Sequence, residues 1–199
     1  MIILASGSPR RRELLSSITE DFIIIKAKKD EIVTKSVPHE IVEELSKQKA
    51  SEVWERCVDD GTVSEDDVLL IAADTLVFLG DKRMGKPKDE DDAIAMLSKL
   101  SGRTHEVYTG VTLFFGNKEH KKEKTFYSVT KVTFCELTDG EIKEYVAGKE
   151  PMDKAGAYAI QGGFGKYIEG IEGEYYNVVG LPIASLYKEM KLIGYFDEK

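Results

Sequence analysis

Apolar positions along the chain come in short blocks, separated by polar stretches that carry helix and turn signals. Met1–Ala5 (MIILA) predicts a short buried strand. A Ser-Gly-Ser turn follows, then a helix with Ser8 as N-cap and Pro9 as first residue, whose apolar face begins at Leu14 and Leu15. Phe22–Ile25 predicts a second strand. Between Pro38 and Cys57, Ile41, Leu45 and Val53 fall on one face of a helix. Val68–Leu79 reads VLLIAADTLVFL, the pattern of a central strand buried on both faces. The acidic residues of GKPKDEDD lead a helix that ends at Gly102. Val107–Phe115 and Thr125–Leu137 predict strands joined as a hairpin around GNKEHKK. Thr138 and Glu141 form a capping box for a helix that stops at Gly148. The glycine-rich stretch AGAYAIQGGFGKYIEGIEGEYYNVVG predicts short strand-like pieces, and PIASLYKEMKLIG a closing helix. Strands alternating with helices, plus one hairpin, predict an α/β fold with a mixed sheet. With no repeat or low-complexity linker, the 199 residues read as a single domain.

Charge narrows the function. Acidic residues outnumber basic ones by 36 to 28, a net charge of −8, which argues against a general binder of nucleic acid or of anionic membranes. A small anion held by a local basic cluster is still compatible. Cys57 and Cys135 show no metal-ligand spacing and read as reduced thiols. The start of the chain lacks the basic region of a signal peptide, and no stretch approaches a membrane span, so a cytoplasmic location is expected. No interface patch is legible; the oligomeric state is open, and a homodimer is compatible on base rates.

Several residues break local rules. Arg10, Arg11 and Arg12 occupy the first turn of a helix, where acidic side chains belong. Asp74 interrupts the apolar run, at a cost unless it is paired or bound to metal. Two readings apply: a turn-bonded aspartate at a strand end, or a metal ligand or general base where open α/β sheets place their ligands. Lys49 lies four residues from both Leu45 and Val53, so its Cα faces the core side of its helix. Its ammonium either snorkels to the surface or reaches a phosphate. Glu31 sits in the polar KKDEIVTK stretch, and Lys86 in GKP is, alone, a loop lysine. His39, His105 and His120 stand apart in charged or polar settings and do not suggest zinc.

Together the anomalies describe one kind of site: cations and a helix N-terminus for phosphates, carboxylates for a divalent metal. A phosphate bound at the helix start would offset the arginine repulsion. Successive helical side chains diverge by about 100°, so one or two of the three arginines would face it.

The blocks LASGSPRRRELL, LSKQKA, AADTLV, GKP, SGRTHEVYTGV, DKAGAYAIQGGFG and NVVGLP, with the acidic Glu31, resemble in order the Maf family of nucleoside triphosphate pyrophosphatases, associated with septum formation. The resemblance covers nearly the whole chain. It implies a mixed α/β fold of the inosine-triphosphate-pyrophosphatase type, with two lobes around a cleft. It also implies a metal-dependent cytoplasmic enzyme, using magnesium or manganese, that cuts a nucleoside triphosphate between its α and β phosphates. Carried over residue by residue, Asp74 becomes the proton acceptor, Ser8, Arg11, Lys49 and Lys86 the phosphate-binding shell, and Glu31 with Asp74 the metal-site carboxylates. Arg10, Thr75 and Gln161 resemble the branch that takes dTTP and UTP rather than 7-methyl-GTP. A glutamine amide offers one donor and one acceptor, matching O4 and N3–H of thymine or uracil. Ala159 replaces a glycine frequent in the family, and IEGEYYNV stands where EEGEYYNV is the pattern. The competing readings are a 7-methyl-GTP or broad-specificity pyrophosphatase, and a nucleotide-binding regulator of cell division without turnover.

Overall fold

The twelve residues Val68–Leu79 form one uninterrupted strand, and the rest of the sheet is arranged beside it. In the computed structural model, which describes residues 1–196, the strands are β1 (Ile2–Leu4), β2 (Ile23–Ile24), β3 (Val68–Leu79), β4 (Lys82–Met84), β5 (Thr104–Gly116), β6 (Lys121–Phe134) and β7 (Ile168–Glu172). The helices are α1 (Pro9–Ser16), α2 (Pro38–Asp59), α3 (Glu90–Leu100), α4 (Asp139–Ala147), α5 (Tyr175–Val179) and α6 (Ile183–Leu192). The sheet runs β2-β1-β3-β5-β6-β7, with β4 paired to β3. It is mixed: β1 lies parallel to both β2 and β3, while β3–β4 and β6–β7 are antiparallel. The expected α/β class with a mixed sheet and flanking helices is what the chain adopts.

Two compact units share the chain, each with its own core. The first comprises Met1–Asp74, Thr109–Ser128 and the chain from Gly180 onward. Its core packs Ile3, Ala5, Leu70 and Ala72 of the sheet against Ala50, Val53, Trp54 and Cys57 of α2. The second comprises Thr75–Tyr108 and Val129–Val179. There Leu97 and Leu100 of α3 and Ile142 and Val146 of α4 bury against Val107, Val132 and Phe134, with Tyr158 and Phe164 filling the centre.

Local signals explain most boundaries. Thr138 accepts from the Glu141 amide while the Glu141 side chain accepts from the Thr138 amide, so α4 starts where the capping box puts it. Asp89 caps α3 by accepting from the Asp92 amide. Two regions differ from expectation. β6 begins at Lys121, inside the stretch expected to be the hairpin connection. The Asn117 side-chain oxygen accepts from the Glu119 and His120 amides, closing the turn in fewer residues, and the lysines after it become exposed strand positions. After a 3₁₀ turn at Glu150–Asp153, the glycine-rich stretch forms two more, Ala155–Ala157 and Gly163–Tyr167, then β7 as its one strand among the described residues and the short helix α5. Gly156 and Ala157 both take left-handed φ values, 72° and 60°, which no extended strand accommodates. Both cysteines are free, Cys57 buried and Cys135 half-buried.

Candidate functional site

The end of β1 creates the site. Its pairing with β3 runs from Ile2–Leu69 to Leu4–Ile71, and the Ala5 amide donates to the Ile71 carbonyl. Past Ile71, β1 gives way to the turn carrying Ser6 and Ser8, while β3 continues through Asp74. Asp74 is therefore mid-strand; β3 runs on to Leu79, so the strand-end reading of this aspartate does not hold. The carboxyl end that opens the site belongs to β1, a parallel strand, in keeping with where such sheets bind ligands.

At the start of α1 the Ser8 hydroxyl accepts from the Arg11 amide, 3.4 Å away, and Pro9 occupies the first turn. No acidic residue lies in that turn. Of the three arginines, Arg11 turns inward: Nε donates to the Gly180 carbonyl at 2.8 Å and Nη1 to the Ser6 hydroxyl at 3.3 Å. Burial holds the Arg11 pKa below its ordinary value, with the charge of Arg10 adding to the shift and those of Asp74 and Glu31 opposing it. A guanidinium remains protonated throughout the physiological range, so Arg11 is a fixed cation facing two carboxylates. Arg10 is half-buried and Arg12 exposed.

Lys49 joins those carboxylates. Its Nζ lies 2.5 Å from Asp74 Oδ1 and 2.9 Å from Glu31 Oε1, with only 17% of the side chain exposed. The ammonium does not snorkel to the surface. The α2 spacing that turned Lys49 toward the core supplies one arm of this bridge. Glu31 arrives from the irregular segment between β2 and α2, and that segment is pinned to the helix. Gln48 accepts from the Ile32 amide at 3.0 Å and donates to the Ile32 carbonyl at 2.6 Å, while Glu44 accepts from the amide and hydroxyl of Thr34. Gln48 and Glu44 were not among the residues expected to matter. Nothing in periodicity distinguishes them from ordinary surface positions of α2.

Asp74 keeps one oxygen in reserve. It is 8% exposed, and its Oδ2 is buried with no hydrogen-bond partner among the described residues. An orphaned carboxylate oxygen is costly unless something occupies it in use. Among the described residues no group of three or more His, Cys, Asp or Glu is gathered for a metal. Two carboxylates nevertheless suit magnesium or manganese, which commonly take one or two protein carboxylates and complete their shell with water and phosphate oxygens. The residues present fit such an ion.

The first unit thus brings together Ser8, Arg11, Glu31, Lys49 and Asp74, with Arg10 on the same helix as Arg11. Thr75, Lys86 and Gln161 belong to the second unit. Thr75 follows Asp74 along β3 and is half-buried; Lys86 is exposed beside the buried Pro87; Gln161 is exposed. The Gly85 carbonyl next to Lys86 accepts from the Gly156 amide at 3.0 Å, joining the GKP and DKAGAY stretches. His105 is not in the polar setting expected of it. It is 1% exposed, packed against Phe134 and Tyr158.

Fold and site together define a mixed α/β protein with a cationic helix start set beside a lysine-bridged pair of carboxylates. The model of the Maf-like protein family matches residues 1–193, and the chain belongs to that family. It is 49% identical over 199 aligned residues to a dTTP/UTP pyrophosphatase of Agathobacter rectalis, covering 97% of both chains. It is 50% identical to a protein of the same name from Carboxydothermus hydrogenoformans, covering 98% of this chain and 99% of the relative. A Bacillus cereus protein, again named dTTP/UTP pyrophosphatase, is 48% identical, with 96% and 94% covered. Among the described residues no helix is long and apolar enough to cross a membrane.

Proposed function

We propose that this chain hydrolyses nucleoside triphosphates between the α and β phosphates, releasing a nucleoside monophosphate and pyrophosphate, with dTTP and UTP as substrates. The observation that carries the reading is the bridged triad Glu31–Lys49–Asp74 beside Arg11, in a chain about half identical to proteins named dTTP/UTP pyrophosphatase.

The α1 N-terminus, Ser8 and Arg11 receive phosphate oxygens, where backbone dipole and fixed cation act on the same anion. Lys49 and Lys86 add positive charge to the polyphosphate. Arg11 arrives already oriented by Gly180 and Ser6, so little ordering remains when the anion binds. Asp74 takes the proton of the attacking water on Oδ2, the oxygen not engaged by Lys49. Glu31 and Asp74 would hold the divalent cation, magnesium or manganese, which when bound supplies Lewis-acid charge against the phosphate oxygens. Arg10, Thr75 and Gln161 select the base, the Gln161 amide pairing with O4 and N3–H of thymine or uracil. A substrate of this kind points to a cytoplasmic enzyme.

The test is pyrophosphate release from dTTP, UTP, CTP, GTP, ATP and 7-methyl-GTP, each with magnesium or manganese. Preference for dTTP and UTP is expected. Cleavage of 7-methyl-GTP in their place would overturn the base assignment, and binding without turnover would replace the enzyme by a nucleotide-binding regulator.

A further inference from the structure

Gln161 is exposed, yet the backbone on each side of it is tied to one of two side chains that are bonded to each other. Two residues before it, the Ala159 amide donates to the Tyr145 hydroxyl at 3.3 Å. Two residues after it, the Gly163 amide donates to Glu150 Oε2 at 3.2 Å. The bracket closes because the Tyr145 hydroxyl donates to Glu150 Oε1, 3.2 Å away. Burial, then the charge of Glu150, pushes the Tyr145 phenol above its ordinary pKa, so the hydroxyl keeps the proton this bond requires.

Both side chains are held from behind. Tyr145 is on α4, its ring 4.8 Å from that of Phe164. Glu150 follows Lys149, whose left-handed φ of 61° turns the chain after α4. The loop is fitted to the carboxylate as well. Gly162 has φ 128° and ψ −155°, a region essentially restricted to glycine, and a Cβ there would lie 2.5 Å from Glu150 Oε1. Any side chain at 162 would be strained at this φ and would push the Glu150 carboxylate out of its place.

We infer that Tyr145 and Glu150 are positioning residues for base selection, holding the Ala159–Gly163 backbone so that Gln161 meets the pyrimidine in one orientation. The inference rests on the reading of Gln161 as the group that recognises the base. Uracil and thymine present an acceptor at O4 and a donor at N3. Cytosine presents a donor at N4 and an acceptor at N3 in the same places. An amide free to shift and turn over pairs with either, so discrimination needs a restrained backbone beneath the glutamine.

The experiment compares kcat/KM for dTTP and for dCTP in wild type, Tyr145→Phe, Glu150→Ala, Glu150→Gln and Gln161→Ala, with amide hydrogen exchange on the same proteins. Tyr145→Phe keeps the buried ring and removes only the hydroxyl. It is expected to lower the dTTP:dCTP ratio about tenfold, the scale of one well-placed hydrogen bond. Exchange should rise at Ala159. Glu150→Ala does the same with faster exchange at Gly163, and Glu150→Gln, which keeps one accepting oxygen, falls between. In a Gln161→Ala background, Tyr145→Phe lowers the ratio no further. A flattened ratio in Gln161→Ala with an unchanged one in Tyr145→Phe and Glu150→Ala overturns the positioning role alone. An unchanged ratio in Gln161→Ala overturns the base reading, and the inference with it.

Discussion

Lys49 Nζ stands 2.5 Å from Asp74 Oδ1 and 2.9 Å from Glu31 Oε1, so a single ammonium bridges both carboxylates proposed to hold the metal and offsets one of their two charges. The free protein is therefore expected to take up manganese weakly, because Lys49 already supplies the positive charge between them. Replacing Lys49 by Met should strengthen manganese binding without nucleotide, read by electron paramagnetic resonance, while pyrophosphate release falls by about 10²–10³. Equal or weaker metal uptake in Lys49→Met would contradict this account of the bridge.

The arginine cluster divides by contact. Arg11→Lys loses the fork that reaches Gly180 and Ser6, and a compact ammonium does not restore it. Its kcat/KM on dTTP should fall by about 10². Arg12 is exposed, and Arg12→Ala should stay close to wild type. Steady-state kinetics on the two variants decide the matter. Equal losses would mean that the whole cluster acts as a diffuse field.

How much of this was legible in the sequence depends on the origin of each signal. Asp74 was visible because a carboxylate in VLLIAADTLVFL violates the pattern around it, and Lys49 because helical stepping turns it toward the core. Ser8, Thr138 and Glu141 act through bonds three residues apart, and such local signals can be read directly. The partnership of Glu31 with Lys49 was not legible from periodicity. It depends on Gln48 and Glu44 pinning an irregular segment, and on hydrogen bonds between residues 10 to 16 positions apart. The bracket around Gln161 was hidden for a similar reason. It joins residues 5 to 14 positions apart and needs a left-handed turn at Lys149, a residue type that does not advertise that conformation.

His105 predicts how stability responds to acid. Burial against Phe134 and Tyr158 lowers its pKa from 6.5 to about 4, and Nε2 pairs with the Tyr158 hydroxyl at 2.8 Å. Between these values the unfolded chain binds the proton and the folded chain does not. The contribution is fully present above pH 6.5 and is lost as pH falls toward 4. It amounts to roughly 3 kcal/mol across the window. Urea unfolding at several pH values should show this slope in wild type and lose it in His105→Gln. An identical slope in both would remove His105 as the cause.

Gly110 predicts a packing limit inside the first unit. A Cβ on Gly110 would lie 2.2 Å from the Val42 carbonyl oxygen of α2, a backbone atom with no side-chain freedom to move aside. Gly110→Ala should cost about 3 kcal/mol or more as α2 is pushed from β5. Thermal unfolding measures it, and a melting temperature within a degree or two of wild type would show that the contact is looser than drawn.

Cleavage between the α and β phosphates, with Asp74 as the proton acceptor, leaves a product pattern that can be read directly. The most direct measurement follows dTTP by phosphorus NMR with wild type and with Asp74→Asn, in the presence of magnesium. Wild type is expected to give dTMP and pyrophosphate, and a folded Asp74→Asn that still binds dTTP no turnover above background. Formation of dTDP and orthophosphate, or undiminished pyrophosphate release by Asp74→Asn, would contradict that expectation.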